Sequence, residues 1–296
     1  MNSRPLTRRQ ALKAAGAAAL AAPLSGQTPS QAQTGQPVPP PSASTGRINQ
    51  SAARWCYRKY SIDELCQNAK RIGLKGIDLV NHEDWPTIQK YGLMPAMTPG
   101  AGTIPVGWNH KENHDKLVAE MTENLARASA AGVPNVITFS GSRNGLPDSE
   151  GIENCIAGLN RVKKLAEEKN VTICMELLNS KIDHHDYQCD HTVWGVAVVK
   201  AVDSPRVKLL YDIYHMQIME GDIVRTIRQN INYIAHFHTG GVPGRNELDQ
   251  TQELQWRTVA TAIGDLGFKG YFAHEFNPTA ADPMKSLEQA YQLCNV

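Results

Sequence analysis

Four apolar runs in the C-terminal half of the chain each close on a group that can bind a cation or move a proton. Cys174-Met175-Glu176 ends one, Leu209-Leu210-Tyr211-Asp212 the next, Ala235-His236-Phe237-His238 the third and Phe272-Ala273-His274-Glu275 the fourth. A carboxylate at the end of a single run is more often a salt bridge or a helix cap. Four successive runs ending this way carry more weight. Three carboxylates brought together repel one another unless a cation sits among them. Three oxygens and one imidazole form a hard, mixed ligand set. It suits one divalent metal ion, Mn2+ or Mg2+ first, with Co2+ or Zn2+ also compatible. A cation across a carbonyl and an adjacent hydroxyl acidifies the C–H between them. One carboxylate can remove that proton to give an enediolate, which the cation stabilises. Returning the proton to the neighbouring carbon isomerises the compound, and returning it to the opposite face of the same carbon epimerises it.

The elements that must gather these groups are legible as an alternation. Short strand-like runs fall at Ile48–Ala53, Gly76–Val80, Leu93–Met97, Asn135–Phe139, Val171–Met175, Val207–Tyr211, Tyr233–His238 and Tyr271–Glu275. Amphipathic helical runs lie between them at Ile62–Ile72, Asn113–Ala131, Ile152–Glu168, Trp194–Ala201, Ile223–Asn230, Glu253–Leu266 and Pro283–Leu293. A glycine closes several helices before the next strand, as in Ile72-Gly73-Leu74 and Leu266-Gly267-Phe268, where the left-handed conformation carries no Cβ penalty. Eight such units predict a parallel sheet with right-handed crossovers, closed into an α/β (β/α)8 TIM barrel. The first strand-to-helix turn has no G-x-G-x-x-G, which argues against an open dinucleotide-binding sheet. Gly240-Gly241-Val242-Pro243-Gly244 follows a late strand and reads as a turn. In such barrels the active site sits at the C-terminal ends of the strands, where the four groups above would meet.

The N-terminal part has a different composition. Thr7-Arg8-Arg9-Gln10-Ala11-Leu12-Lys13 precedes an Ala-rich apolar run from Ala14 to Leu24. This resembles the twin-arginine signal pattern S/T-R-R-x-F-L-K, with Ala11 in the usual Phe position. The run is too short and too weakly apolar for a stable membrane span. The chain then divides into a signal peptide over 1–32, a Pro/Ser/Thr/Gln-rich linker over 33–46 and a catalytic domain over 47–296, and the mature protein is expected in the periplasm or otherwise exported. Of the 296 residues, the last part matches the ~250 residues typical of one barrel. The net charge of +1 offers no basic field for nucleic acid. Six cysteines without a C-x-x-C pair read as buried or half-buried thiols rather than a disulfide framework.

Met175-Glu176-Leu177-Leu178-Asn179-Ser180, Tyr211-Asp212-Ile213-Tyr214-His215-Met216-Gln217, Gly240-Gly241-Val242-Pro243-Gly244-Arg245 and His274-Glu275-Phe276-Asn277-Pro278 together resemble the hydroxypyruvate isomerase branch of the xylose isomerase-like barrels. The likeness covers most of the mature chain and is specific from Met175 onward. It implies that Glu176, Asp212, His238 and Glu275 bind the metal, that Glu176 and Glu275 also move protons, and that His215 and Arg245 hold substrate oxygens. Two positions depart from the pattern. His238 stands where hydroxypyruvate isomerases often have Gln and the sugar epimerases have His. Ile182 stands where those epimerases have a further Glu. The implied reaction is interconversion of hydroxypyruvate and tartronate semialdehyde, or of a similar small hydroxy-carbonyl compound. A ketose 3-epimerase or an enzyme of oxidised sugars is the alternative.

Other candidates are weighed against plainer roles. Asp183-His184-His185-Asp186 with Cys189, Asp190 and His191 follows the fifth strand and should overhang the site as a covering loop, with a second metal or an ordinary polar loop as alternatives. His82 either lines the pocket or caps a helix. Trp85 and Trp108 either wall the site or pack in the core. Arg245 could pair a substrate carboxylate or serve as a surface salt bridge. The expected partner is a small keto acid or sugar; a homo-oligomer is compatible with the sequence. Metal-dependent nucleic-acid hydrolysis would need more ligands and a basic face. An exported sugar-binding protein would not need two carboxylates facing one metal.

Overall fold

The computed structural model describes residues 46–296. The leader and linker expectations over 1–45 lie outside the described residues. Among the described residues no helix is long and apolar enough to cross a membrane.

Nine parallel strands form a nearly closed barrel. They are β1 (Asn49–Ala53), β2 (Gly76–Asp78), β3 (Met94–Pro95), β4 (Thr98–Ala101), β5 (Asn135–Thr138), β6 (Thr172–Leu177), β7 (Val207–Asp212), β8 (Ile234–Thr239) and β9 (Tyr271–His274). The hydrogen-bonded order runs β3-β2-β1-β9-β8-β7-β6-β5-β4. Its two ends, β3 and β4, are halves of one segment. Ala96 N–H donates to Ile77 O at 2.8 Å on the β2 side, and Asn135 donates its amide to Ala96 O at 2.9 Å on the β5 side. The eight expected units are therefore present, with the third strand split in two. The sequence reading ended that strand at Met97. In fact Thr98–Ala101 pairs with β5, and Gly100 is held so close to it that a Cβ would lie 2.5 Å from Ile137 O.

The outer ring consists of α1 (Ile62–Ile72), α2 (Trp85–Lys90), α3 (His114–Ala130), α4 (Asp148–Asn160), α5 (Lys163–Lys169), α6 (Thr192–Val202), α7 (Ile213–Met219), α8 (Ile223–Asn230), α9 (Trp256–Asp265) and α10 (Pro283–Cys294). Ser61 and Glu64 close a capping box at the start of α1, and Gly73 ends it with φ +109° and its N–H on Ala69 O. The expected single helix over Ile152–Glu168 is broken into α4 and α5 at Arg161-Val162. Two short helices, α2 and α7, carry too few residues to show a helical period in the sequence.

Successive strand residues point to opposite faces. Ile173, Met175 and Leu177 pack outward with the helices, while Cys174 joins Met97, Ile137 and Leu210 in a small inner layer. The same two-residue step carries the chain from Cys174 to Glu176, from Leu210 to Asp212 and from His236 to His238. Each of these polar side chains therefore turns inward, one step above the apolar layer. Trp85 and Trp108 both belong to the large core between barrel and helices, where Trp108 donates to Thr138 Oγ1 at 2.7 Å. All six cysteines are free, and five of them are buried.

Candidate active site

Glu176, Asp212, His238 and Glu275 converge at one end of the barrel, each offering a ligand atom within 4.8 Å of the others. All four are buried. Asp212 sits beside His238 across the β7–β8 ladder, and Glu275 N–H donates to Thr239 O at 3.0 Å, which holds it at the end of β9. His238 Nδ1 lies 2.6 Å from Glu275 Oε2, 3.3 Å from Glu176 Oε1 and 3.9 Å from Asp212 Oδ2. Yet this nitrogen makes no hydrogen bond of proper geometry and is shielded from solvent. A buried polar atom without a partner is costly. Three carboxylate oxygens and an orphaned imidazole nitrogen facing one point are what a divalent cation requires, so the residues present fit the group.

Arg245 supplies positive charge at the same point. Its Nη2 donates to Asp212 Oδ2 at 2.8 Å and to Glu275 Oε2 at 2.6 Å. The guanidinium lies between the rings of Tyr214 and Trp55, at 5.1 and 5.7 Å from their centroids. Its backbone is left-handed, φ +55°, a conformation rarely held without a local reason. The local reason includes Asn277 N–H, which donates to Arg245 O at 2.7 Å. Two residues on, the Glu247 carboxylate accepts from Thr279 N and Oγ1, Ala280 N and Ser286 Oγ. The loop after β8 is thereby fastened to the segment after β9.

His215, on α7, is fully buried beside this cluster. Asn179 Oδ1 accepts from the backbone N–H groups of Ile182 and Asp183, so the Asn179 amide nitrogen is the side that faces His215 Nδ1, at 2.6 Å. Nδ1 therefore meets an N–H donor. Nε2 lies 3.6 Å from Asp212 Oδ2 and 3.0 Å from Arg245 Nη1.

The electrostatics separate the carboxylates. Burial pushes Asp212 up to about 7, against the pull of Arg245 and with the repulsion of Glu275. Burial would raise Glu275 too, but Arg245 and His238 outweigh it and hold that carboxyl below the usual range. Burial works against a charged His238, yet Glu275, Asp78 and Glu176 together hold its proton well above the ordinary imidazole range. His215 is held well below that range by burial and by Arg245. It is therefore a neutral imidazole beside the carboxylates.

The loop after β6 gives a mixed result. Among the described residues, neither cluster of metal-ligating groups draws on Asp183, His184, His185, Asp186, Cys189, Asp190 or His191, so the second-metal alternative finds no cluster there. Arg143, Ser180 and His191 hold Asp190, and Tyr214 OH and Asn179 hold Asp183. His184 is half-buried, with its ring 5.3 Å from that of His215, and burial beside the site lowers its pKa. Ile182 points away and is 63% exposed. His82 is half-exposed beside Glu83 rather than in the cluster.

Two participants were missed in the sequence. Trp55, just past β1, donates its indole N–H to Glu275 Oε1. Its position directly after a barrel strand was the available signal. Asp78, at the end of β2, is buried and accepts from His238 Nε2 at 2.8 Å and from His236 Nε2 at 3.2 Å. An acidic residue inside the apolar run Gly76–Val80 was its signal.

Comparison with known proteins agrees with this architecture. A family model described as a xylose isomerase-like TIM barrel matches residues 49–293. A human protein named putative hydroxypyruvate isomerase is 25% identical over 230 residues, which cover 76% of this chain and 77% of that one. The D-psicose 3-epimerase of Ruminiclostridium cellulolyticum is 34% identical over 122 residues, covering 40% of this chain and 39% of that enzyme. Among solved structures, one titled AP endonuclease, family 2 from Brucella melitensis superposes with a TM-score of 0.70 at 21% identity, over 81% of this chain and 97% of that one, a likeness of fold.

Proposed function

This chain belongs to the xylose isomerase-like TIM-barrel family, and from that premise we propose that it is a metal-dependent isomerase of a small hydroxy-carbonyl compound, hydroxypyruvate and tartronate semialdehyde being the pair that fits best. The observation that carries this reading is the convergence of Glu176, Asp212 and Glu275 on the buried His238 Nδ1, at 3.3, 3.9 and 2.6 Å. Those four residues would hold one divalent ion, with Mn2+ or Mg2+ suiting the oxygen-rich set. When bound, the ion supplies Lewis-acid polarisation of the substrate carbonyl and charge neutralisation in the site.

The rest of the chemistry falls to the chain's own groups. One of Glu176 and Glu275 removes the proton from the hydroxyl-bearing carbon. The C–H electron pair becomes the double bond of an enediolate, and the former carbonyl oxygen takes up the negative charge. The proton then returns to the former carbonyl carbon, and the original hydroxyl passes its own proton to the former carbonyl oxygen, so that the first becomes the new carbonyl and the second the new hydroxyl. His215, a neutral imidazole, and Arg245 hold the substrate oxygens on which this charge moves. Arg245 also suits a carboxylate-bearing substrate, since its fork can pair two oxygens at once.

A ketose 3-epimerase is the second reading. It is favoured by His238 in the ligand set and by the likeness to the psicose epimerase. Ile182, in the place of the epimerases' further Glu, weighs against it. Incubation of the Mn2+-loaded protein with hydroxypyruvate and, separately, with ketoses in D2O, followed by proton NMR, decides between them. Formation of tartronate semialdehyde supports the first reading. Inversion at C3 of a ketose with no reaction of hydroxypyruvate replaces it with the second. Loss of turnover on removing metal is required by both. Export through the twin-arginine motif at Arg8-Arg9 is part of the same proposal and would deliver the folded enzyme to the periplasm.

A further inference from the structure

The inner layer beneath the cluster holds a second group of ligating side chains, Asp78, His236 and His238, all fully buried. Their arrangement differs from that of the upper site. Asp78 Oδ2 takes hydrogen bonds from both imidazoles, through the Nε2 atom of each ring. The two rings meet edge to face, with centroids 5.2 Å apart and an interplanar angle of 85°. The atoms that could ligate a second ion are already bonded to one another. The lower group therefore works as a hydrogen-bonded bracket.

We propose that Asp78 is a positioning residue that fixes the tautomer and ring orientation of His238, so that Nδ1, and only Nδ1, is presented to the cation held by Glu176, Asp212 and Glu275. This rests on the metal-site reading given above. A cation that takes the place of the second proton leaves the imidazole with one N–H and one lone pair. With its N–H committed to a carboxylate at Nε2, the lone pair falls on Nδ1. A carboxylate partner also makes the ring a better donor to a metal. The geometry supports each step. Asp78 comes from β2, across the barrel from β8, so it approaches the ring on the edge away from the cluster. Nδ1 is the atom left without a partner. His236 shares the same oxygen and stops the carboxylate from turning away. Without Asp78, the buried ring would find its remaining acceptors among Glu275, Glu176 and Asp212. It would then keep a proton on Nδ1, where it blocks a cation.

The test uses the full-length protein with 15N-labelled histidine. In Mg2+-loaded wild type, His238 should carry its proton on Nε2 and none on Nδ1; a proton on Nδ1 would overturn the proposal without any variant. Asp78→Leu preserves bulk but offers no acceptor. It should move the His238 proton to Nδ1 and weaken Mn2+ binding, measured by calorimetry, by about 10–100-fold. Asp78→Asn keeps one oxygen in the place of Oδ2. It should restore the Nε2–H signal and bring Mn2+ affinity back toward wild type, which a purely space-filling role would not require. A folded Leu variant with unchanged Mn2+ affinity and an unchanged His238 signal would overturn the idea. If wild type itself takes up no divalent ion, the functional reading fails. The metal-free His238 Nε2–H resonance then still decides whether the bond to Asp78 exists.

Discussion

Arg245 Nη2 bridges Asp212 Oδ2 and Glu275 Oε2, at 2.8 and 2.6 Å, with the guanidinium 14% exposed. This side chain is a cation that keeps two buried carboxylates compatible. Its removal leaves them facing each other, and loss of one partner of a buried ion pair costs about 3–5 kcal/mol. Arg245→Met should therefore lower the Tm of the chelator-treated protein by several degrees, and added Mn2+ should recover most of the loss. An unchanged Tm in the chelated variant would show that the guanidinium does not carry this charge balance.

Glu275 is placed to act as both ligand and base. Glu275→Gln keeps the shape and one oxygen but removes the basicity. Mn2+ affinity should fall modestly, since three ligands remain, while kcat falls by ~10²–10⁴-fold. Exchange of the substrate C–H with solvent then assigns the role. Continued exchange with little product makes Glu275 the group that returns the proton, and joint loss of exchange and turnover makes it the group that removes it. Near wild-type turnover in the metal-loaded variant would leave it a ligand only.

The Glu247 carboxylate shows a stability effect with a defined pH sign. Burial would raise it, but the N–H groups of Ala280 and Thr279 and the Thr279 hydroxyl outweigh burial and hold it below its ordinary value. A folded pKa below the unfolded one means that the ionised form is favoured by folding. The stabilisation is thus fully present above the unfolded glutamate pKa of about 4.3 and is lost as pH falls through the lower folded value. Wild type should exceed Glu247→Gln in Tm at pH 7, and the gap should close as the pH drops below about 4. A gap that persists unchanged at pH 3 would place the effect in packing rather than charge.

Export is tested by changing Arg8 and Arg9 together to Lys, which preserves charge but not the guanidinium pair. The precursor should then remain in the cytoplasm while the wild type is processed and exported. Efficient export of the double variant would reject the twin-arginine route.

What the sequence determined is the set of groups at the ends of the strands. In a parallel barrel every strand ends at the same rim, so a carboxylate or imidazole that closes an apolar run has little freedom about where it arrives. This is why Glu176, Asp212, His238 and Glu275 were legible without coordinates, and why eight alternating units sufficed for the barrel. Local punctuation was less reliable. The third strand was expected to end at Met97, but Thr98–Ala101 continues it beside β5, whose backbone leaves room at Gly100 only for a residue without a Cβ. The tertiary structure alone decided which groups face one another across the barrel. Asp78 and His238 are 160 residues apart in the chain and meet only because β2 and β8 share one interior. Trp55 reaches Glu275 for the same reason, across the junction of β1 and β9. No periodicity records such pairs, since closure of the sheet, rather than any local preference, brings them within hydrogen-bonding distance.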